Sequence, residues 1–239
     1  MHSAQVGGSN AVDCATPDPA RLRRSYEDGE LTETSAPSDP LVLFSAWFAA
    51  AAAELAEPNA MILATASAGG APSARTVLLK GYGPDGFRFF TNFTSRKARD
   101  LDENPRAALV FPWHPMYRQV RIEGAVEGLS EEESAAYFRT RPYGSRLGAW
   151  ASERQSAVIS GRAELVERFA ELSRRWPNPA NDDELDIVPL PGFWGGYRVV
   201  PEAIEFWQGR RDRLHDRIAY ERGPGAGAEH SWRRSRLSP

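Results

Sequence analysis

Residues 74–92 of the 239-residue chain read Ala-Arg-Thr-Val-Leu-Leu-Lys-Gly-Tyr-Gly-Pro-Asp-Gly-Phe-Arg-Phe-Phe-Thr-Asn. The central stretch 81–86 matches the G-x-G-x-x-G pattern of dinucleotide-binding turns, which must lie between a strand and a helix. Here both flanking segments are typical of strands, and Pro84-Asp85-Gly86 is typical of a hairpin turn. The segment therefore predicts an antiparallel hairpin and disfavours a parallel, dinucleotide-binding sheet.

The rest of the chain follows the same antiparallel plan. A helix is predicted over 38–57, where Ser38-Asp39-Pro40 gives the start signal. Further strands are predicted over 60–66, 107–112, 118–126, 197–200, 203–207, 215–220 and 231–237. Further helices are predicted over 95–104, 145–151 and 161–176, and another helix is predicted to begin at the capping box Ser130/Glu133. Strands joined by hairpins, with helices inserted between them, predict an α+β antiparallel barrel.

The composition predicts a globular protein, with 41% hydrophobic and 26% charged residues. Residues 1–20 are rich in Gly, Ser, Ala, Asp and Pro, which predicts a flexible arm before a single domain over 21–239. The apolar stretch 46–56 is too short to span a membrane, and no secretory signal precedes it. With only Cys14 to form a disulfide, these features predict a cytoplasmic protein, and the net charge of −3 disfavours nucleic acid as a partner.

Several catalytic signatures are missing from the sequence. It contains no G-x-x-x-x-G-K-[ST] phosphate loop, and Tyr143 replaces the first glycine that a nucleophile elbow around Ser145 would need. Its four histidines are scattered and have no cysteine pair near them, so we expect no metal site.

Two cationic clusters are candidate anion sites. Arg75 and Lys80 bound a strand whose alternation directs them to opposite sides of the sheet, or to two different groups at its ends. Residues 94–97, Thr-Ser-Arg-Lys, combine a helix N-terminus, a capping hydroxyl and two cations, which favours phosphate. Solvated surface charge is the alternative for each.

Two further clusters combine cations with hydroxyl or aromatic groups. Tyr137, Arg141 and Ser145 follow at i, i+4 and i+8, although Pro142 interrupts the helix that would align them. If they converge, they suit a phosphate dianion. In the segment 206–217, Phe-Trp-Gln-Gly-Arg-Arg-Asp-Arg-Leu-His-Asp-Arg, alternation on a strand places Arg213 and His215 on one face with Leu214 opposite. A fixed cation beside an imidazole suits an anionic or polarised ring.

In their order along the chain, these segments resemble the pyridoxamine (pyridoxine) 5′-phosphate oxidase family. The matching stretches are RRSY, DPLVLFSAWF, RTVLLKGY, FFTNFTSRKA, FPWHPMYRQVRIEG, YFRTRPYGSRLGAWAS, RQSAVIS, PLPGFWGGYRV, EFWQGRRDRLHDR and RLSP, which begin at Arg23 and reach Pro239. Phe90 stands where the family commonly has tyrosine, and Arg210 and Arg211 receive no role.

The resemblance implies an FMN-binding split β-barrel, Greek-key-like with peripheral helices, and a homodimer with FMN at the subunit interface. The residues implied for FMN are Arg75, Thr76, Val77, Leu78, Leu79, Lys80, Phe90, Thr91, Arg96, Lys97, Gln119, Gln155, Ser156, Trp207 and Arg217. Those implied for the substrate are Arg23, Arg24, Tyr26, Lys80, Tyr137, Arg141, Ser145, Arg213, Leu214 and His215, and Arg213 and His215 among them are the expected catalytic residues.

The activity implied is oxidation of pyridoxamine 5′-phosphate and pyridoxine 5′-phosphate to pyridoxal 5′-phosphate, with O2 reduced to H2O2. Two alternatives stay open. One is a flavin oxidase of another metabolite, as in the phenazine pathway, and the other is a non-catalytic protein that binds flavin or pyridoxal phosphate.

Overall fold

The structure, a computed structural model, describes residue 26 and residues 29–178, 187–223 and 231–239. The predicted arm over 1–20 and the predicted substrate residues Arg23 and Arg24 lie outside these ranges. The helices are α1 (Pro40–Glu54), α2 (Arg96–Glu103), α3 (Glu131–Arg139), α4 (Tyr143–Ala151) and α5 (Arg162–Arg175). The strands are β1 (Ala60–Ala66), β2 (Pro72–Leu78), β3 (Gly81–Gly83), β4 (Gly86–Asn92), β5 (Arg106–Trp113), β6 (Arg118–Gly128), β7 (Trp194–Gln208), β8 (Asp216–Arg222) and β9 (Trp232–Arg236).

The strands form one curled sheet in the order β2-β1-β5-β6-β7-β4-β3, with β8 and β9 added beside β7. Every pairing is antiparallel. The strands at the two ends of this order, β2 and β3, are consecutive in the chain and lie together. Between them, the Lys80 N–H donates to the Arg88 carbonyl on β4 at 2.8 Å. The predicted α+β antiparallel barrel is confirmed. Pro84 and Asp85 lie at a hairpin turn as predicted, but this hairpin joins 81–83 to β4, whereas the strand before it, β2, pairs with β1.

Strand β7 joins the barrel to the two added strands, β8 and β9. One of its edges pairs with β6, whereas the other pairs with β4 over 194–199 and with β8 over 203–208. The prediction of two strands, 197–200 and 203–207, was wrong: the chain continues through Pro201, and a register shift at Glu123/Gly124 on β6 absorbs the irregularity.

Gly124 at this bulge has no room for a side chain, because a Cβ atom there would lie 1.9 Å from the Val200 carbonyl oxygen. We expect Gly124→Ala to lower the free energy of unfolding by about 2–4 kcal/mol in urea denaturation. Gly128, on the same strand with nothing within 4 Å of its Cβ position, is the matched control. Equal effects of the two alanine substitutions would contradict this account of the bulge.

Alternation along the strands places one set of side chains inside the barrel. Phe44 of α1 is fully buried there and makes edge contacts with Phe87 and Phe111 at centroid distances of 5.0 and 5.2 Å. A second, smaller apolar cluster packs α3 and α4 against the start of β7, with Phe138, Leu147 and Trp194 as its largest buried members. The functional cavity lies where β2 and β4 face this second cluster.

The predicted helices occur, with the first shortened to Pro40–Glu54. The Ser130/Glu133 capping box is present, since each side chain accepts a hydrogen bond from the other residue's backbone N–H at 3.0–3.1 Å. In the described part of the chain, no helix combines the length and the apolar character needed to cross a membrane.

Candidate functional site

A cavity of about 760 Å³ opens between β2, β4 and the α3–α4 helix pair. Twelve of the residues predicted from the sequence line it: Arg75, Thr76, Val77, Leu78, Lys80, Phe90, Thr91, Lys97, Tyr137, Arg141, Ser145 and Gln155. Four of these are cations, and the described lining includes no Asp or Glu. The buried Asp100 lies 3.8 Å from Arg75 Nη2 and balances part of this charge. A concave site whose lining carries an excess of positive charge favours an anionic ligand.

Arg75 is held at one end of the cavity by buried partners. Its Nη1 donates to Thr65 Oγ1 at 2.8 Å and to the Leu63 carbonyl at 3.1 Å. Thr65 in turn donates to Asp100 Oδ2 at 2.6 Å. These bonds fix the direction of the guanidinium group, and burial lowers the pKa of Arg75.

Lys97 lies in the same region as Arg75. Its Nζ donates to Thr91 Oγ1 at 3.0 Å and to Gln155 Oε1 at 3.3 Å. Burial, with a smaller contribution from the charge of Arg75, lowers the pKa of Lys97 to about 8. Two neighbouring cations without a carboxylate on the cavity lining are a fitting site for a phosphate group.

The N-terminus of α2 lies beside this end. Ser95 caps the helix, and the Arg96 N–H donates to Ser156 Oγ at 3.4 Å. Ser156 has a left-handed backbone with φ 71°, which is uncommon for a residue other than glycine. Arg96 and Ser156 thus contact each other but do not line the cavity. Leu79, another of the predicted residues, is buried in the barrel core and does not line it either.

Arg75 and Lys80 both line this cavity, and so do Thr76, Val77 and Leu78 between them, so the cavity runs along β2 and takes residues from both of its faces. β2 ends at Leu78, and Lys80 follows it.

The other end of the cavity is aromatic and cationic. Tyr137 stacks on Phe90 with ring centroids 4.0 Å apart, and the Arg141 guanidinium lies 4.8 Å from the centre of the Trp194 ring. Because α3 ends at Arg139 and α4 begins at Tyr143, Tyr137 comes from one helix, Ser145 from the next and Arg141 from the turn between them. The predicted break at Pro142 therefore brings the three groups to one cavity.

Arg141 Nη1 is buried and has no hydrogen-bond partner among the described residues. Burial lowers the pKa of this guanidinium group. A buried donor without an acceptor is costly. An anionic acceptor in the cavity would satisfy it.

Those of the remaining predicted residues that the structure describes around Trp207 form a second group, which does not line this cavity. Gln119 of β6, Trp207 of β7 and Arg217 of β8 are direct partners across the three adjacent strands. The His215 ring lies 4.6 Å from the Trp207 ring, and the Tyr26 ring lies 5.8 Å from that of His215. Arg217 also donates to Glu205 Oε1 at 2.8 Å, which raises its pKa.

The prediction that Arg213 and His215 share a strand face was wrong. Residues 211–213 form a short 3₁₀ turn, in which Asp212 and Arg213 have left-handed φ values of 54° and 62°, and β8 begins only at Asp216. The Gly209 N–H donates to the Tyr117 carbonyl at 2.7 Å, which holds the start of this turn against the 114–117 segment. Arg213 is exposed, and Leu214 is 70% exposed.

The imidazole of His215 is oriented by this turn. Its Nδ1 accepts a hydrogen bond from the Arg210 backbone N–H at 3.0 Å. The neutral ring therefore carries its proton on Nε2. Burial and then the charge of Arg213 lower the pKa of His215, so the ring is a neutral donor near pH 7.

Other cavity residues were missed in the sequence. Trp194, Asn92, Thr140 and Ser152 also line the cavity. Asn92 Nδ2 donates to the carbonyl of Ser152 at 2.8 Å and ties β4 to the end of α4. None of these residues carries charge. The available signal was that each lies within a matched stretch: Asn92 in FFTNFTSRKA, Thr140 and Ser152 in YFRTRPYGSRLGAWAS, and Trp194 in PLPGFWGGYRV.

Two family models match the chain. One, described as pyridoxamine 5′-phosphate oxidase, matches residues 48–175. The other, described as the pyridoxine 5′-phosphate oxidase C-terminal dimerisation region, matches residues 194–239. The second model covers Trp207, Arg213, His215 and Arg217.

Relatives named pyridoxine/pyridoxamine 5′-phosphate oxidase match nearly the whole chain. That of Thermobifida fusca is 52% identical over 223 residues, which are 93% of this chain and 98% of the relative. That of Rubrobacter xylanophilus is 56% identical over 224 residues, 93% and 97% of the two chains.

Among solved structures, PhzG from Burkholderia lata 383, in complex with tetrahydrophenazine-1-carboxylic acid, has a TM-score of 0.78 and 31% identity, and covers 90% of this chain and 100% of PhzG. A pyridoxamine 5′-phosphate oxidase-related, FMN-binding protein of Nostoc punctiforme shares the fold, with a TM-score of 0.65 at 17% identity over 85% of this chain and 100% of that protein. The family models, the identities over nearly the full length and the split-barrel architecture together establish that the chain belongs to the pyridoxamine 5′-phosphate oxidase family.

Proposed function

We propose that this chain is an FMN-dependent oxidase that converts pyridoxine 5′-phosphate and pyridoxamine 5′-phosphate to pyridoxal 5′-phosphate, with dioxygen reduced to hydrogen peroxide. The observation that supports it most is one cavity lined by two groups of cations, with no described acidic lining. Arg75 and Lys97 are held by one set of polar partners, and Arg141 lies against the Trp194 ring. Two separate phosphate groups, one on the cofactor and one on the substrate, fit this arrangement. Relatives with this name at more than half identity agree with it.

The Arg75–Lys97 end fits the phosphate of FMN. Arg75 is directed by Thr65 and Asp100, and Lys97 is directed by Thr91 and Gln155. When bound, FMN would supply a two-electron acceptor that passes its electrons on to dioxygen. The chain's own contribution is placement and charge, since both cations are fixed before the ligand arrives.

The Tyr137–Arg141–Ser145 end fits the substrate phosphate. The unpartnered Arg141 Nη1 and the two hydroxyl groups would donate to its oxygens. Lys80, whose Nζ lies 5.9 Å from the Tyr137 ring centre, would border the substrate between the two phosphate sites. The alcohol then loses two electrons and two protons to become the aldehyde. The amine loses two electrons and two protons to become an imine, and the imine takes up one water and releases ammonia to give the aldehyde. In both cases dioxygen takes up the two electrons and two protons and becomes hydrogen peroxide.

The group around Trp207 would complete the site from a second copy of the chain. The matched C-terminal region is described in the family as a dimerisation region. The outer face of β1 and β5 also presents a continuous patch of half-buried apolar side chains, Ile62 beside Val110 and Ala64 beside Ala108. A second copy that covers this patch could bring its Arg213 and His215 to the ring of the substrate, where they supply a fixed cation and a neutral Nε2–H donor.

The lowered pKa of Lys97 predicts how flavin binding depends on pH. In the ligand-free protein Lys97 is charged below its pKa of about 8 and loses its proton above it. FMN affinity should therefore fall by up to about tenfold per pH unit from about pH 8 to pH 9.5, whereas riboflavin, which lacks the phosphate, should show no such slope. Fluorescence titration of both flavins measures this.

Lys97→Arg keeps its charge across this range and serves as the control, because it should bind FMN without the slope. Parallel pH profiles for FMN and riboflavin in the unsubstituted protein would argue against a phosphate at Lys97.

A second candidate function is oxidation of a phenazine-type metabolite, which the similarity to PhzG favours. The two candidate functions differ in the group expected to bind Arg141. This group is a phosphate for the vitamin B6 substrates and a carboxylate for the phenazine-type metabolite. Formation of aldehyde and peroxide from the two phosphorylated vitamin B6 substrates separates them. If the FMN-loaded protein turns over neither substrate, the first proposal is refuted. A non-catalytic flavin protein would give the same result.

A further inference from the structure

Trp194 is a cavity residue to which no function has been assigned above. It begins β7 and is 7% exposed. Its ring is nearly parallel to the rings of Phe90 and Tyr137, at centroid distances of 5.5 and 6.2 Å and angles of 10° and 11°. The ring of Phe138 meets it edge-on at 5.0 Å. Trp194 thus contacts both the ring of Tyr137 and the guanidinium group of Arg141 on the cavity lining.

Arg141 is oriented by aromatic faces. Its guanidinium carbon lies 4.8 Å from the Trp194 ring centre and 5.6 Å from that of Phe138. No carboxylate among the described residues pairs with it, and Nη1 has no acceptor. An aromatic face holds a guanidinium group without neutralising it, so its N–H groups stay available for an incoming anion.

The backbone after Trp194 is pressed against one ring of this stack. A Cβ atom on Gly196 would lie 2.7 Å from Phe90 Cε1, whereas one on Gly195 would meet Phe93 of the barrel core at 2.5 Å. Gly196 therefore allows the start of β7 to approach the ring stack closely. This approach fixes where the indole lies relative to Arg141.

We propose that Trp194 is the positioning residue for the Tyr137–Arg141 pair, and that it thereby sets the preference of the cavity for phosphorylated over unphosphorylated ligands. The substrate identity rests on the proposed function, whereas the role of Trp194 rests on these contacts. Without the indole face, the guanidinium group of Arg141 is no longer held in the direction in which it meets the phosphate. The effect should fall on ligands that carry the phosphate and spare those that lack it.

The test compares the dissociation constants of pyridoxal 5′-phosphate and pyridoxal for FMN-loaded protein, by absorbance titration. Trp194→Leu should weaken binding of the phosphorylated ligand by roughly tenfold to thirtyfold, and Trp194→Phe, with a smaller aromatic face, by roughly twofold to fivefold. Both should leave pyridoxal binding within about threefold of the unsubstituted protein. In turnover, the same variants should raise KM for pyridoxine 5′-phosphate while kcat changes little.

Trp150→Leu is the matched control. Trp150 packs in the same cluster against Trp176 and Phe193, at 5.1 and 5.4 Å, and does not line the cavity. It should leave the ratio of the two dissociation constants unchanged. If Trp194→Leu does not fold, Trp194→Phe alone decides the question.

Unchanged phosphate preference in the Trp194 variants, or equal weakening of both ligands, would overturn the role of Trp194 while leaving the proposed function intact. Unsubstituted protein that prefers neither ligand and oxidises neither vitamin B6 phosphate would overturn both.

Discussion

A heterodimer built from two inactive variants, Arg141→Ala in one chain and Arg213→Ala in the other, should recover about half of the unsubstituted activity. Arg141 lines the cavity, whereas Arg213 belongs to the group around Trp207, which does not line it. If each active site takes Arg141 from one chain and Arg213 from the other, the heterodimer has one intact site and one with both lesions. Co-expression with two affinity tags gives the heterodimer, and peroxide release at a substrate concentration near KM measures its activity.

The mirror-image heterodimer is the control. An unsubstituted chain paired with the Arg141→Ala/Arg213→Ala double variant has a lesion in both composite sites and should be nearly inactive. Sites built within one chain would give the opposite pattern, with the mirror-image heterodimer half active and the first heterodimer inactive. That pattern would contradict the composite site.

Arg213→Ala alone should lower kcat/KM for pyridoxine 5′-phosphate by about 10²- to 10³-fold and change the FMN dissociation constant by less than about threefold. The exposed Arg213 makes no hydrogen bond or ion pair with any described residue, and its left-handed backbone is strained. Strain of this kind concentrates at functional sites, where the ligand contact compensates for it. Steady-state kinetics and flavin titration separate the two quantities.

Arg233→Ala is the matched control for Arg213→Ala. Arg233 lies on β9 of the same C-terminal region, is exposed and pairs with Glu221 on β8. It should leave both kcat/KM and FMN binding unchanged. Loss of FMN from the Arg213 variant without an effect on saturated turnover would place Arg213 at the cofactor instead of the substrate.

Local signals predicted much of the fold correctly, and twelve of the expected site residues lie on the lining of one cavity. Pro84-Asp85-Gly86 predicted the hairpin because turn geometry depends on a few adjacent residues, and the Ser130/Glu133 capping box was found for the same reason. The convergence of Tyr137, Arg141 and Ser145 was suggested by spacing, and the break at Pro142 made it possible.

Features that depend on distant partners were not predictable in this way. Pro201 favoured a break in β7, but pairing with β6 on one edge and with β4 and then β8 on the other keeps the strand continuous. The turn at Arg213 depends on the hydrogen bond from Gly209 to the Tyr117 carbonyl, far away in sequence. No local pattern shows that Trp194 would lie over Arg141, because that contact exists only after β7 meets the turn between α3 and α4.

The most direct test of the proposed activity is turnover by the purified, FMN-reconstituted protein. Pyridoxine 5′-phosphate and pyridoxamine 5′-phosphate are supplied separately under air, and the aldehyde product and hydrogen peroxide are both quantified. A reduced phenazine carboxylic acid is supplied in parallel as the competing substrate. We expect pyridoxal 5′-phosphate and peroxide in equal amounts from both vitamin B6 phosphates, and slower or no oxidation of the phenazine. A flavin-loaded protein that oxidises the phenazine and neither vitamin B6 phosphate, or that oxidises none of the three, would contradict the proposed function.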